Sequence, residues 1–167
     1  DGYSLVIGAV ATHAVNPWLF SKLPYDPIKD FSPITLIAHV PNVLVMTPER
    51  ADQFGIRSAR ELIDYARKNP AQLNYASGGN GSAAHIAMEY FKLQTGTDIG
   101  HVPYRGTAPA VTDVLGGQVE IIMTGVPAVM QQVKSGKLRA LGVSSRTPVA
   151  GMPDVPTIAA TVPDFEA

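Results

Sequence analysis

The sequence predicts an α/β protein built on an open parallel sheet with helices on both faces. Three observations carry that class. From about residue 42, apolar strand-like runs alternate with helical segments four times and close on a further strand. Glycine or proline punctuates the joins, as at Asn69-Pro70, Gly96, Gly116-Gly117 and Gly136. In YASGGNGSAAHIAMEYF, residues 75–91, a β-prone stretch runs through glycines and serines into an amphipathic helix. Crossovers between such strands are expected to be right-handed. The helices differ in sequence and spacing, so no repeat array is implied.

The elements follow in order. VLVM, 43–46, is a continuous apolar run of the kind buried on both faces of a sheet. In SARELIDYARKNP, Ser58 and Glu61 form a capping box, Leu62, Ile63 and Ala66 share a face, and Asn69-Pro70 stops the helix. LNYAS, 73–77, reads as a strand. Ala83, Ile86, Ala87, Tyr90 and Phe91 mark the buried face of the next helix, which Gly96 ends. GHVPY is a strand, and TAPAVTDVLGG is a helix with Pro109 in its first turn. VEIIMT is a strand, VPAVMQQVKSGK a helix, and LRALGVSS, 138–145, the closing strand.

The flanks read differently. Residues 1–41 hold a strand (SLVIGAV), a polar turn (ATHAVNP), a Pro-rich loop (KLPYDPIKDFSP) and a second strand (ITLIAHV). Residues 146–167 are mostly loop. Both flanks are assigned to an incomplete first lobe, and residues 42–145 to a second lobe, with hinge crossovers near 40–43 and 144–147. The chain opens inside a strand-like run and ends after a Pro-rich loop, so it reads as the middle of a longer protein. Trp18 is expected to anchor the Pro-rich loop. Asp26, Lys29 and Asp30 are read as surface loop chemistry.

Composition narrows the function. Hydrophobic residues make up 46% of the 167, enough for a core, and charged residues only 16%. The net charge is −1 and no basic block stands out, which argues against nucleic acid. No cysteine occurs, which excludes thiol catalysis, thiolate metal sites and disulfides. No apolar run approaches the roughly 18 residues of a membrane helix.

In an open parallel sheet, ligands bind beyond the carboxyl ends of the strands. Three strand-to-helix turns occur: SGGNGS (77–82), YRGTAP (104–109) and TGVP (124–127). Each is expected to present backbone N–H groups at the positive end of a helix dipole. Ser77, Ser82, Thr107 and Thr124 add hydroxyls, and Gly78, Gly79, Gly81, Gly106 and Gly125 allow close backbone approach. Within these turns the only charge is Arg105. A general acid or base needs a titrating group in reach, so the turns suit an anion that is bound and released. His85 is read as packing or capping locally. Thr12, His13 and Asn16, after the first strand, either form an ordinary turn or supply polar donors from the first lobe.

Other chemistries fit less well. GNGSAA, 79–84, matches a dinucleotide fingerprint, but the acid expected at the end of the next strand is missing, because Asp98 precedes that strand. Arg105 there keeps a nucleotide-binding enzyme as the alternative reading. No Gly-Lys-Ser/Thr follows the glycines, and no G-x-S-x-G elbow exists. His13, His39, His85 and His101 lack metal-ligand spacing.

The stretches DGYSLVIG, NPWLFSKLPYDPIKDFSPI, YASGGNGSAAHIAMEYF, HVPYRGTAPAVTDVLGGQVE, SGKLRALGVSS and MPDVPTIA occur in that order. Together they resemble the periplasmic solute-binding proteins of tripartite tricarboxylate transporters, the Bug family, over essentially the whole chain. The resemblance implies a type II periplasmic-binding-protein-like fold, with one near-complete lobe and part of another. It implies hinge closure on a small organic carboxylate, a di- or tricarboxylate or related acid. Delivery would be to membrane subunits of a tripartite transporter, or to a sensor. It implies a periplasmic location, no membrane insertion of the receptor itself, no cofactor, no metal and no catalysis. Carried onto this sequence, the carboxylate site comprises Ser77, Gly78, Gly79, Asn80, Gly81 and Ser82, joined by Gly106 and Thr107, with Thr124 a further candidate. Thr12 and His13 complete the candidate set from the first lobe. Family chains also have an earlier strand with a Gly-rich turn, and helices beyond the MPDVPT loop, neither of which occurs here. Many relatives carry an acid where this chain has Thr124, so nothing there would pair with an ammonium group.

Overall fold

The computed structural model describes residues 2–167. Asp1, which opens the 1–41 segment, lies outside the described residues. The chain divides into an N-terminal unit ending at His39 and a central unit running from Val40 to Ala167.

The central unit holds β1 (Asn42–Met46), α2 (Pro48–Phe54), α3 (Ala59–Lys68), β2 (Asn74–Ser77), α4 (Ala83–Thr95) and β3 (Gly100–Pro103). It continues through α5 (Thr107–Leu115), β4 (Ile121–Gly125), α6 (Val126–Lys134) and β5 (Arg139–Val143). The sheet order is β3-β2-β4-β1-β5. β2 runs parallel to β3 and β4, whereas β1 is antiparallel to β4 and β5. The sheet is therefore parallel-dominated with one reversed strand, where alternation alone predicts a parallel sheet. The difference has a topological cause. No helical crossover joins β1 to either of its sheet neighbours, so the βαβ rule does not set its direction.

Every residue of β1 is buried, as its unbroken apolar run requires. Leu44 and Met46 face one core cluster, and Val43 and Val45 face the other. The first cluster includes residues of α3 and α4, the second residues of α5 and α6. Helices thus cover both faces.

Local signals account for most helix ends. Ser58 Oγ accepts the Glu61 N–H at 3.2 Å. The Glu61 carboxylate accepts the Arg57 N–H at 2.6 Å, one residue earlier than a standard capping box. Leu62, Ile63 and Ala66 are buried as their spacing predicts. Helix α2 goes unpredicted, although Thr47 caps it by accepting the Arg50 N–H, Pro48 opens it and Gly55 closes it. The buried face of α4 is Ala84, Ala87, Met88, Phe91 and Thr95. That corrects the predicted face, since Ile86 is 40% exposed. The helix is apolar over a wide arc, and Met88, flexible enough to fill a gap, is the residue that seats in the core.

Residues 146–167 also differ from expectation. Read from sequence as part of the first lobe, they pack here on the central unit. Val143 bridges Thr157, and Ile158, Val162 and Phe165 are buried in the same cluster as Phe91. Phe165 stacks on Tyr90 at 5.2 Å and meets Phe91 edge-on at 5.9 Å. Their spacing of four and three residues puts three apolar side chains on one side of a segment that its prolines mark as loop.

Residues 4–10 and 34–40 form no strand. A strand needs a ladder partner for its N–H and C=O groups, and none occurs for these runs among the described residues. A π-helical turn (Ala11–Val15) leads into α1 (Asn16–Leu19), with Pro17 in its first turn. Trp18 is 91% exposed, so it does not anchor the loop. Tyr25 does, donating to the Thr12 carbonyl at 2.7 Å and packing edge-on against Phe31. The Asp26 carboxylate accepts the Ile28 and Lys29 amides, and these bonds hold its pKa below the usual value.

Candidate functional site

Because β3, β2 and β4 are adjacent and parallel, their carboxyl ends share one edge of the sheet. The three predicted turns therefore lie side by side, with 77–82 in the middle. β1 starts at this edge, with Asn42 opposite Gly125, and β5 ends there, with Val143 opposite Val43. Two of the turns touch. A Cβ on Gly78 would sit 3.4 Å from Thr107 N and Oγ1, and one on Gly79 would sit 3.1 Å from the Tyr104 carbonyl oxygen. Gly79 also has φ +118°, which disfavours any side chain.

The central turn is pinned from within. The Gly79 N–H donates to Ser77 Oγ at 3.1 Å, and Ser77 Oγ lies 2.7 Å from His101 Nε2. The Gly81 N–H donates to His85 Nδ1 at 3.1 Å. Ser82 caps α4 by accepting the His85 N–H at 3.3 Å, and its own N–H donates to the Gly79 carbonyl. The Ser77 hydroxyl is therefore engaged inside the protein, in a residue with no exposed surface. Among the described residues, no acceptor meets the amides of Gly78, Asn80, Ala83 or Ala84. These are the donors the turn leaves over, at a helix N-terminus.

Behind the turn, three rings are stacked. His85 lies on His101 with centroids 4.4 Å apart, and His101 lies on Tyr75 at 4.7 Å. Tyr75 OH donates to Glu89 at 2.7 Å, and Lys92 bonds the same Glu89 oxygen at 2.7 Å. Burial, then the electrostatic influence of the neighbouring His85 ring, holds the His101 pKa below its usual value, so the ring is neutral over most of the physiological range. Burial alone would raise the Glu89 pKa, but the Lys92 and Tyr75 hydrogen bonds outweigh it and the net shift is downward. Burial and the bond to Glu89 push the Tyr75 phenol up.

The flanking turns offer less uniform chemistry. No side chain caps α5, and Thr107 at its first position is exposed beside Gly106. Arg105 is exposed and makes no ion pair among the described residues. Tyr104 turns back and donates to Asp113 at 2.7 Å. At α6, the Val126 N–H already bonds the Pro41 carbonyl at 3.0 Å, and Pro127 has no N–H. That corrects the expectation of free amides in this turn. The side chain before it is what remains. Thr124 is only 4% exposed and carries its hydroxyl at the end of β4.

Thr12 and His13 belong to the N-terminal unit, where they bond each other, Thr12 Oγ1 to His13 Nδ1 at 2.8 Å. Thr12 Oγ1 also donates to the Ala9 carbonyl, and His13 packs edge-on against Phe31. Sequence reasoning missed His101 and Asn42 at the central edge. Asn42 is 6% exposed; its N–H donates to Ser144 Oγ at 2.9 Å, and its carbonyl accepts the Ser144 N–H at 2.8 Å. Asn42 and Ser144 are thus hydrogen-bonded neighbours within the central unit. The HVPY strand could have signalled His101, because period-two alternation puts its side chain on the same face as Pro103 and beside β2.

The edge carries no Asp or Glu within the three turns. Asp98 precedes β3, and β3 ends in Pro103, so the ribose-binding acid of a dinucleotide fold has no counterpart. Among the described residues there is no group of three or more His, Asp or Glu able to hold a metal, and no helix long and apolar enough to cross a membrane. A cavity of about 200 Å³ beside Arg67, Thr95 and Thr161 lies at the opposite end of α4 from this edge.

Comparison with known proteins gives a consistent result. A family model described as "Tripartite tricarboxylate transporter family receptor" matches residues 1–166. Protein BugT of Bordetella pertussis is 37% identical over 100% of this chain and 51% of its own length. The structure of R. palustris Rpa4515 with adipate superposes with a TM-score of 0.92 at 37% identity, covering 100% of this chain and 55% of that one. MatC of Rhodopseudomonas palustris with bound malate gives 0.83 at 29% identity, covering 95% and 53%. The periplasmic binding protein BugD gives 0.85 at 32% identity, covering 94% and 52%. The chain spans about half the length of the relatives it matches.

Proposed function

The chain belongs to the tripartite tricarboxylate transporter receptor family, and on that premise we propose that it forms part of an extracytoplasmic receptor that binds a small organic dicarboxylate and releases it unchanged. The observation that carries this reading is the shared sheet edge. Three adjacent strand ends bring together the free amides of the 77–82 turn and the hydroxyls of Ser82, Thr107 and Thr124, with one arginine and no acid. Such a surface favours a carboxylate through charge-assisted hydrogen bonds and helix dipoles. It holds no titrating group positioned to transfer a proton to or from that ligand. Thr124, where an acid would attract an ammonium, favours plain acids over amino acids.

The ligand contacts in this reading come from the Gly78, Asn80, Ala83 and Ala84 amides, the Ser82, Thr107 and Thr124 hydroxyls, and the α5 start at Gly106. Gly79, Gly81 and Ser77 shape the turn. Thr12 and His13 are retained as candidate donors from the N-terminal unit. The relatives solved with adipate and malate support a four- to six-carbon diacid as the first class to try. Family membership supports a periplasmic location and delivery to membrane subunits of a tripartite transporter, or to a sensor.

A thermal-shift and titration screen of the full natural chain tests this. The panel holds adipate, malate, tricarboxylates, aromatic acids, amino acids and nicotinamide nucleotides. Ligand at 100 times its dissociation constant adds about 2.7 kcal/mol. A shift with diacids and none with nucleotides is the expected outcome. A shift with nucleotides alone would overturn the receptor reading and restore the fingerprint at Gly79–Ala84 as a dinucleotide site.

A further inference from the structure

We propose that His85 and His101 are positioning residues that decide which amides of the 77–82 turn meet the ligand, by drawing the Gly79 and Gly81 amides inward. The idea rests on the reading of that turn as a carboxylate cradle.

A turn with Gly78, Gly79 and Gly81 has little conformational preference of its own. An anion cradle nevertheless needs its amides held in one arrangement before the ligand arrives. Here the holding groups are identifiable. His85 Nδ1 accepts the Gly81 N–H, so that nitrogen carries no proton and acts purely as an acceptor. Ser77 Oγ accepts the Gly79 N–H and is itself fixed by His101 Nε2. The two imidazoles are stacked on each other, and His101 rests on the fully buried Tyr75 of β2. The fastening is therefore rooted in the sheet.

Its consequence is an alternation. Residues 79 and 81 are tied inward, while Asn80 between them keeps an N–H without an acceptor among the described residues. Removing either tie lets a glycine peptide rotate, which replaces a fixed donor set by several. Affinity should fall while the fold, held by the apolar clusters on either side of the sheet, persists.

Two substitutions separate this role from packing. His85→Leu keeps bulk and removes the acceptor. His85→Asn places an amide oxygen near the position of Nδ1. The full natural chain is titrated with adipate and with malate, and amide hydrogen exchange at Gly79 and Gly81 is followed without ligand. The leucine variant should raise the dissociation constant about tenfold and speed exchange at Gly81. The asparagine variant should restore both to within about threefold. His101→Leu should speed exchange at Gly79, and His101→Gln should restore it. Wild-type affinity and unchanged exchange in His85→Leu would overturn the proposal, as would an asparagine variant no better than leucine. If the unsubstituted protein binds neither acid, the carboxylate reading falls by itself. The ligand-free exchange then still supports or overturns the fastening.

Discussion

Replacing Ser77 by alanine isolates one buried atom. Ser77 Oγ accepts the Gly79 amide at 3.1 Å, contacts His101 Nε2 at 2.7 Å and lies 3.2 Å from the Gly79 carbonyl oxygen. The residue has no exposed surface, so water does not replace the lost partner. Leaving a buried donor or acceptor unpaired costs about 1–3 kcal/mol. Two groups lose their partner here, and the turn can relax to rescue one of them, which puts the loss near 3 kcal/mol. Unfolding entropy of roughly 2.1 cal/mol/K per residue gives about 0.27 kcal/mol/K for the central unit, Val40–Ala167. The melting temperature should therefore drop by about 10 °C. Calorimetry of the variant and the parent at pH 7.5 measures it. A drop under about 2 °C would mean that the hydroxyl's bonds are matched by water in the unfolded chain, and that the turn is not fastened through Ser77.

Three further outcomes are expected. His101 has a folded-state pKa below its ordinary 6.5, so the unfolded chain binds more protons as pH falls through that value. Stability should thus be insensitive to this group above pH 6.5 and decline below it, and His101→Gln should flatten that decline in denaturant titrations from pH 7.5 to 5. Thr124→Val removes the hydroxyl at nearly constant shape. It should leave the melting temperature unchanged or slightly raised while weakening diacid binding by about 1–2 kcal/mol, whereas equal affinity would remove Thr124 from the site. Phe165→Ala should destabilise by about 3–5 kcal/mol in chemical denaturation, because Phe165 is fully buried against Tyr90 and Phe91. A loss under 1 kcal/mol would show that the tail does not pack on the central unit.

Local chemistry was the legible part of this chain. Ser58 with Glu61, Ser82 before Ala83 and Gly96 after Thr95 each announce a helix end within a few residues, and the structure places those ends there. Val43–Met46 announce a doubly buried strand by being apolar without interruption. The turns at 77–82 and 104–109 were legible for the same reason, since glycine and hydroxyl residues between a strand and a helix have few other uses. What stayed hidden depends on distant partners. The reversal of β1 is set by strands that arrive much later in the chain. His101 meets Ser77 only because β3 lies beside β2. The face of α4 turns on a single choice, Met88 over Ile86, that packing makes and periodicity does not. Runs 4–10 and 34–40 have strand composition, but composition cannot supply a partner. At α6, free amides were expected where Pro41 already occupies one of them, a contact invisible without the fold.

The sheet order also dictates a sequence of events in time. β1 finds its partners only in β4 and β5, with Leu44 opposite Met123 and Val43 opposite Val143. Those partners lie about 80 and 100 residues further on, and a ribosome adding 5–20 residues per second delivers the nearer one roughly 4–16 s after β1. During that interval the β2–β3 pair can form, with α4 between them, while Asn42–Met46 has no edge to join. Insertion of β4 between β2 and β1 is then the step that joins two half-sheets. Long-range closure of this kind folds slowly. The five residues of β1 accordingly wait longest of the five strands for their neighbours.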